Sequence, residues 1–426
     1  TFEVLIRSIV VAIIFSFLSF KHFSHILNLA NFFLSSLSIY LEMPTNNTLY
    51  EDNISDFLDL AQKNRSKASK KSSKTKDDAE KAANSGYALE MYRKVDLSHA
   101  RLSSIDSNAL FSFRNLQELF LDNNNITFLS PKTFANLDGL RELHLANNKI
   151  RTVDPNTFSK LRQLRTLDLS GNPIVYFLSD TFENLFNLES LQLQSLRLEA
   201  IDPRTFANLR NLRKLSLNAN KLKSIDQHLF INLIRLTHLN LESNQIDHVD
   251  SNAFRTLLSL RDLSLFNNKL KSIGATLFRH LINLRLLNLN RNQIQAIEWD
   301  SFATLRNLEE LHLSHNKLKA LDWPLFSYLK QLKVLNIDNN QLRTVDKNLF
   351  RNLNNLEILT LIDNPFKPAL DPRTFENLPK LESLLLNAQS NSSKHRAERI
   401  DYDDFFQLRN LNTIVSFKKD KKFCCF

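Results

Sequence analysis

Three histidines, His144, His238 and His312, and two adjacent cysteines, Cys424 and Cys425, are residue types from which a metal site or a nucleophile could be assembled. Structural zinc asks for ligands a few residues apart in a turn, or together on one element. Each histidine instead falls in its own copy of a repeated phrase, the place of a solvated surface residue. Adjacent cysteines pair with each other only under strain, and no other cysteine is available to them. No nucleophile, base and orienting group stand together at motif spacing. The sequence reads as a non-enzyme that needs no cofactor and no metal. Its regular chemistry is an amide: Asn124, Asn148, Asn172, Asn220, Asn244, Asn268, Asn292, Asn316, Asn340 and Asn364 hold one position of the phrase. Such a side chain can donate to and accept from backbone groups that a bend leaves unpaired.

The phrase that positions these amides is L-x-x-L-x-L-x-x-N-x-(I/L)-x-x-(apolar), followed by a Phe and a Leu. It starts at Leu116 and recurs every 24 residues to Leu356, eleven copies in all. A fixed period in this range with this pattern defines a leucine-rich repeat solenoid. In the copy at Leu140, Leu143 and Leu145 alternate with polar residues as in a half-buried strand. Ile150 and Val153 turn inward as the chain leaves the strand, and Phe158 and Leu161 line the inside of the outer segment. The fold class expected is an α/β solenoid, a horseshoe with a parallel concave β-sheet and a mostly irregular or 3-10 convex side. The fourth copy puts Leu196 at the asparagine position, which predicts one gap in the amide ladder.

A single copy holds too few apolar side chains to offset the ordering of its backbone, so stability is shared along the array. The ends are atypical, as solenoid ends must be. Residues 92–115 read as a degenerate first repeat with Ala100 at the asparagine position. Residues 116–380 hold the eleven repeats, and 381–417 form a degenerate cap with a last strand near Ile414. Residues 418–426 are a basic tail. Upstream, 42–91 is a basic linker whose core, residues 61–81, carries eight Lys/Arg against three acids and almost nothing apolar. That composition is typical of disordered chain. The formal charge of +10 is thereby assigned mainly to linker and tail, and nucleic acid is not expected as a partner, because no basic cluster with aromatics is legible on the folded part.

Residues 1–41 form an apolar leader. The runs 8–20 and 26–41 are uncharged and each shorter than the ~18–20 residues of a spanning helix. Arg7 ahead of them and the small residues Ser36 and Ser38 fit a secretory signal cut after Ser38. An uncleaved anchor, which would be the only membrane contact, and sequence foreign to the natural protein are the alternatives. Asn46, Asn53, Asn64, Asn125 and Asn391 each open an N-x-(S/T) triplet, an acceptor for N-glycans in exported proteins; Asn125 is expected on an exposed loop.

The 24-residue length, the trailing "F..L", "LDLSGNPI" (167–174) and "LHLSHNKLKALDWPLFSYL" (311–329) resemble the typical leucine-rich repeat proteins of the animal cell exterior. These include chaoptin- and connectin-like adhesion proteins, Toll-type receptor ectodomains and the acid-labile subunit of the insulin-like growth factor complex. The resemblance covers roughly residues 92–417. It implies recognition of a protein ligand or cell-surface protein on the concave face, in adhesion or as a receptor, in an extracellular or cell-surface setting. Those relatives bracket the array with cysteine clusters, and none precedes the first repeat here. Cys424 and Cys425 would open such a cluster if the chain is a fragment; otherwise the cap lacks disulfides and a reducing compartment gains weight. An intracellular scaffold starting near Met43 is the alternative reading.

Where on that face a partner sits is suggested by composition. The outward positions are polar through most of the array, as at Asp168, Gln192, Ser216, Asn240 and Asn288. Near the C-terminal end they become apolar. Val334, Ile358, Ile362 and Leu385 fall on adjacent copies, with Glu310, His312 and Thr360 expected at the rim. An apolar cluster with a polar border has the composition of a protein-binding site, unless residues 388–406 fold over it. Phe120 and Phe266 read as isolated exposed aromatics.

Overall fold

In the computed structural model the described residues are 48–49, 92–107, 109–367, 370–387 and 413–417, with backbone alone at 48–49, 387 and 413–417. Contacts divide the chain at Thr48/Leu49, and the solenoid belongs to the unit that begins at Leu49. The leader runs 8–20 and 26–41, the linker core 61–81, segment 388–406 and Cys424–Cys425 lie outside the described residues. Among those described, no helix is long and apolar enough to cross a membrane.

Each copy contributes one three-residue strand, from Lys94–Asp96 and Glu118–Phe120 to Ile358–Thr360. Two five-residue strands, Ser383–Asn387 and Thr413–Phe417, follow. Every strand pairs in parallel with that of the next copy. The register carries leucine onto leucine: Leu119 beside Leu143, Leu143 beside Leu167. The central leucines are buried, while the residues on either side remain at least partly accessible in every copy but the one ending at Thr360, which is buried as well. A slip of one residue would turn the whole leucine column to solvent, so the register is strongly specified. Near the C-terminal end one step lengthens, Leu359 pairing with Leu384, and the alignment holds.

Behind the sheet runs a second column. Phe134, Phe158, Phe182 and Phe206, and their counterparts on to Phe350 and Phe375, are fully buried. Successive rings stack with centroids 6.4 Å apart between Phe134 and Phe158, and 6.3 Å between Phe254 and Phe278. Strands in a sheet sit about 4.8 Å apart. The phenylalanine column is therefore wider per copy than the strand column, and the stack must curve with its sheet on the inside.

The amide ladder lies between the two columns. Asn172 donates to Leu145 O of the preceding copy at 2.9 Å and to Leu169 O of its own at 2.8 Å, and accepts from Ile150 N–H at 3.0 Å. The same three bonds recur at Asn268, with Leu241 O, Leu265 O and Ile246 N–H. The expected gap is present: Leu196 is 5% exposed and packs into the core, so no side-chain oxygen reaches Ile174 N–H.

Two features add detail to the sequence expectation. Outside the concave sheet the chain is mostly irregular, as expected, but Ser224–Ile225 pairs with His248–Val249 and Ser272–Ile273 with Ala296–Ile297 in short parallel ladders. The 3-10 helices described are Trp323–Phe326 and Pro372–Phe375, and both carry a proline in the first turn, whose ring presets the backbone angle. Most other copies cross this region as consecutive turns. A second amide row is also present: Asn187, Asn211, Asn283, Asn307 and Asn355 each donate to the carbonyl 25 positions earlier, at 2.8–2.9 Å.

Urea unfolding should rank three substitutions. Phe254→Ala empties a packed position and costs about 3–5 kcal/mol. Asn268→Ala strands one buried N–H and weakens two carbonyls, costing more than about 2 kcal/mol. Ser216→Ala on the outward face costs less than about 0.5 kcal/mol. Equal tolerance at all three would show that the inward and outward positions are misassigned.

Candidate functional site

Alternation along the strands leaves two outward residues per copy, and a third just past the strand end. Parallel register aligns them in rows across the concave face. One row runs His238, Asp262, Leu286, Glu310, Val334, Ile358. The next runs Asn240, Ser264, Asn288, His312, Asn336, Thr360, Leu385.

At the N-terminal end Phe120 is not isolated. Its ring stacks on His144 at 4.5 Å with the planes 11° apart, and Lys94 Nζ lies 4.8 Å over its face. Phe266, likewise half-buried, has the Arg291 guanidinium 5.8 Å from its centroid. Both contacts reach across copies, so only the 24-residue register brings the partners together.

The C-terminal rows do bring the apolar residues together. Val334 lies beside Ile358 in the register, and Leu385 beside Thr360, diagonal to Ile358. Ile358 is 37% exposed, and Val334, Ile362 and Leu385 are half-buried. A polar network underlies and borders them. His312 Nε2 lies 3.3 Å from Glu310 Oε2, and its Nδ1 accepts from Asn336 Nδ2 at 2.9 Å. Thr360 is not at the rim: it is 8% exposed, and its hydroxyl donates to Asp338 Oδ2 at 2.6 Å. Asp338 also accepts from Ile362 N–H at 2.9 Å, which fixes the third outward residue of that copy. Burial raises the Asp338 carboxyl above its ordinary range, against the bonds from Thr360, Ile362 and Ser314. Two of the three histidines are less solvated than their positions suggested, His144 and His312 having side chains only 20% and 16% exposed, whereas His238 is 47% exposed. No group of histidine, cysteine and carboxylates among the described residues could hold a metal ion.

A further groove, of about 650 Å³, lies along the edge where the chain enters the strands. Arg213, Arg235, Arg261, Arg285 and Lys333 line it with Thr237, Ser259, Asn283 and Glu309. The Lys333 ammonium, 2.8 Å from Glu309, holds that carboxyl below its ordinary value. Basic residues therefore do cluster on the folded part, although the sequence reading assigned the charge mainly to linker and tail. The signal was available, because Arg141, Arg165, Arg213, Arg261, Arg285 and Lys333 share the second position of the phrase. None of the residues lining the groove is aromatic.

Asn125 is exposed beside buried Asn124, its backbone N–H donating to Leu102 O at 2.7 Å. Asn46, Asn53, Asn64 and Asn391 lie outside the described residues.

The sequence profile described as Leucine rich repeat matches residues 92–150, 114–174, 179–222, 210–270, 259–318, 306–366 and 330–391. The chain belongs to the leucine-rich repeat family. No curated protein matches it in sequence. Among solved structures, TLR13 in complex with the RNA ssRNA13 aligns at 25% identity with a TM-score of 0.62, over 77% of this chain and 51% of that one. Toll of Drosophila, in its complex with Spatzle, aligns at 24% identity and a TM-score of 0.65, over 77% and 44%, and shows the fold alone. An internalin of Listeria monocytogenes aligns at 26% identity and a TM-score of 0.60, over 77% and 88%. The chain thus spans about half the length of the TLR13 chain. TLR13 was solved with an RNA, so the expectation that nucleic acid is not a partner of this chain finds no support among these structures.

The N-terminal end offers a pH test. Burial is the main cause that raises the Asp122 carboxyl, opposed by the bond from Ala146 N–H at 2.7 Å. The folded state therefore disfavours the charge, a penalty that is full above the raised folded value and absent below the ordinary value of 3.8. Asp122→Asn keeps an oxygen for Ala146. It should raise the thermal midpoint at pH 7, with the gain vanishing as pH falls to that lower limit. A loss of stability at pH 7 would contradict the assignment.

Proposed function

We propose that this chain is a non-enzymatic binding protein of the cell exterior that takes a protein ligand on its concave face, in adhesion or receptor-like recognition. The observation that carries the reading is the C-terminal apolar step. Ile358 stands exposed with Val334 in register beside it, on a face otherwise lined mainly by polar side chains. Exposed apolar groups within a polar border supply the desolvated centre that protein interfaces use. The Toll–Spatzle complex and the internalin share the fold, and the exposed Asn125 sequon is compatible with export. TLR13 with its RNA makes nucleic acid a competing ligand. The arginine groove is the place for it, but lacks the aromatic platforms on which single strands stack, and protein is the preferred partner class.

Two measurements test the proposal. Cell-surface proteins labelled with biotin should be retained by the immobilised chain and lost when Ile358→Asp is combined with Ile362→Ser. Serine is chosen at 362 to avoid a second carboxylate beside Asp338. The unfolding midpoint should stay nearly unchanged; retention by the variant, or unfolding of its C-terminal copies, would end the hypothesis. Separately, the chain expressed in animal cells should shift on a gel after glycosidase treatment, and Asn125→Gln should remove part of that shift. An unglycosylated cytosolic product would favour the intracellular scaffold instead.

A further inference from the structure

The chain has two tryptophans, and the period brings both to one place. Trp299 and Trp323 are 24 positions apart, each three residues ahead of a buried column phenylalanine, Phe302 and Phe326, and away from the strand face. They are 55% and 49% exposed. Indole is among the largest apolar surfaces a chain can bury, so leaving two of them half in water has a cost in stability. With Leu321, Asp322, Pro324 and Asp346 they line an open cleft of about 550 Å³. In a chain of formal charge +10, that lining holds two carboxylates and no cation.

One of these carboxylates lacks the partner its position normally provides. At the same place in other copies Asp154, Asp202, Asp226, Asp250, Asp346 and Asp371 each accept the N–H two residues on, at 2.7–2.9 Å. Two residues after Asp322 stands Pro324, which has no N–H. The Asp322 side chain accordingly makes no capping bond, and among the described residues it has no ion pair. The copy that carries the second tryptophan is thus also the one whose turn carboxylate is left free.

Two indoles and a free carboxylate around one cleft suit a cation, which gains from the ring faces and from the opposite charge together. We propose that this cleft docks a lysine or arginine side chain presented by a basic segment of a partner protein. The site is separate from the concave face and does not depend on the reading given to that face. A bilayer surface, the other common use of paired tryptophans, fits less well, because seating the indoles in lipid would also desolvate two carboxylates.

Because both tryptophans line the cleft, intrinsic emission of the full chain reports on it without a label. Titration with a tetra-arginine peptide should give a saturable change in emission, and the uncharged tetra-citrulline peptide should give none. Asp322→Asn, at a side chain that bonds nothing, should leave the thermal midpoint unchanged and weaken the arginine peptide by roughly threefold to tenfold. Ile358→Asp should leave this binding intact. Equal response to citrulline, undiminished binding by Asp322→Asn, or a response to neutral phosphatidylcholine vesicles in place of the peptide would each overturn the proposal.

Discussion

The interaction on which the rest of the molecule depends is one asparagine amide shared between two copies. Asn172 holds a carbonyl of its own copy, a carbonyl of the copy before, and an N–H of the copy before. Ten such amides make a 24-residue phrase, unable to fold alone, into a continuous stack. They also account for the strictness of the period. A copy of another length would need its surplus taken up elsewhere, as happens at the longer step from Leu359 to Leu384.

Holding the amide in place has a conformational cost. The residue just before the ladder asparagine is left-handed in every copy, with φ from 50° at Asn339 to 67° at Gly171. Non-glycine residues resist that region by about 1–2 kcal/mol in left-handed helical geometry, yet glycine serves once, where a Cβ would collide with the Asn147 side chain. Bonds across copies offset the strain: Asn123 N–H reaches Ala146 O at 2.9 Å and Asn147 N–H reaches Ser170 O at 2.8 Å. At the gap, Ser195 keeps φ 55° and bonds to Asn218 O at 3.0 Å, although Leu196 supplies no amide. Neighbouring copies template the turn even where its own asparagine is missing. With the inward positions committed in this way, recognition falls to the outward rows, where residue types are free to vary.

What the sequence made legible follows from the same division. Leucine alternation located the strands, the asparagine position located the ladder, and Leu196 located its gap, because each rests on a residue type tied to an inward place. The left-handed position could not be read, since Asn, Gly, Ser, Ala, Arg, His and Asp all occupy it. The second amide row was hidden as well, its asparagines looking like ordinary turn residues. On the outward face, the apolar step was visible from residue type, whereas the Phe120–His144 stack and the burial of Thr360 needed side-chain packing across the register. The arginine groove was readable by position but masked by the charge of linker and tail.

If shared amides hold the stack together, their loss should be felt one group at a time. Native-state hydrogen exchange at Ile150, Ile174 and Leu198 compares the gap with rungs on either side. Ile150 and Leu198 N–H donate to Asn172 and Asn220, while for Ile174, equally buried as a side chain, the ladder position holds Leu196, which has no acceptor. Exchange at Ile174 should be faster than at both neighbours by about fivefold to tenfold, the ratio that one lost hydrogen bond of about 1–1.4 kcal/mol produces. Equal protection at all three would show that leucine packing alone joins the copies and that the amide ladder is incidental.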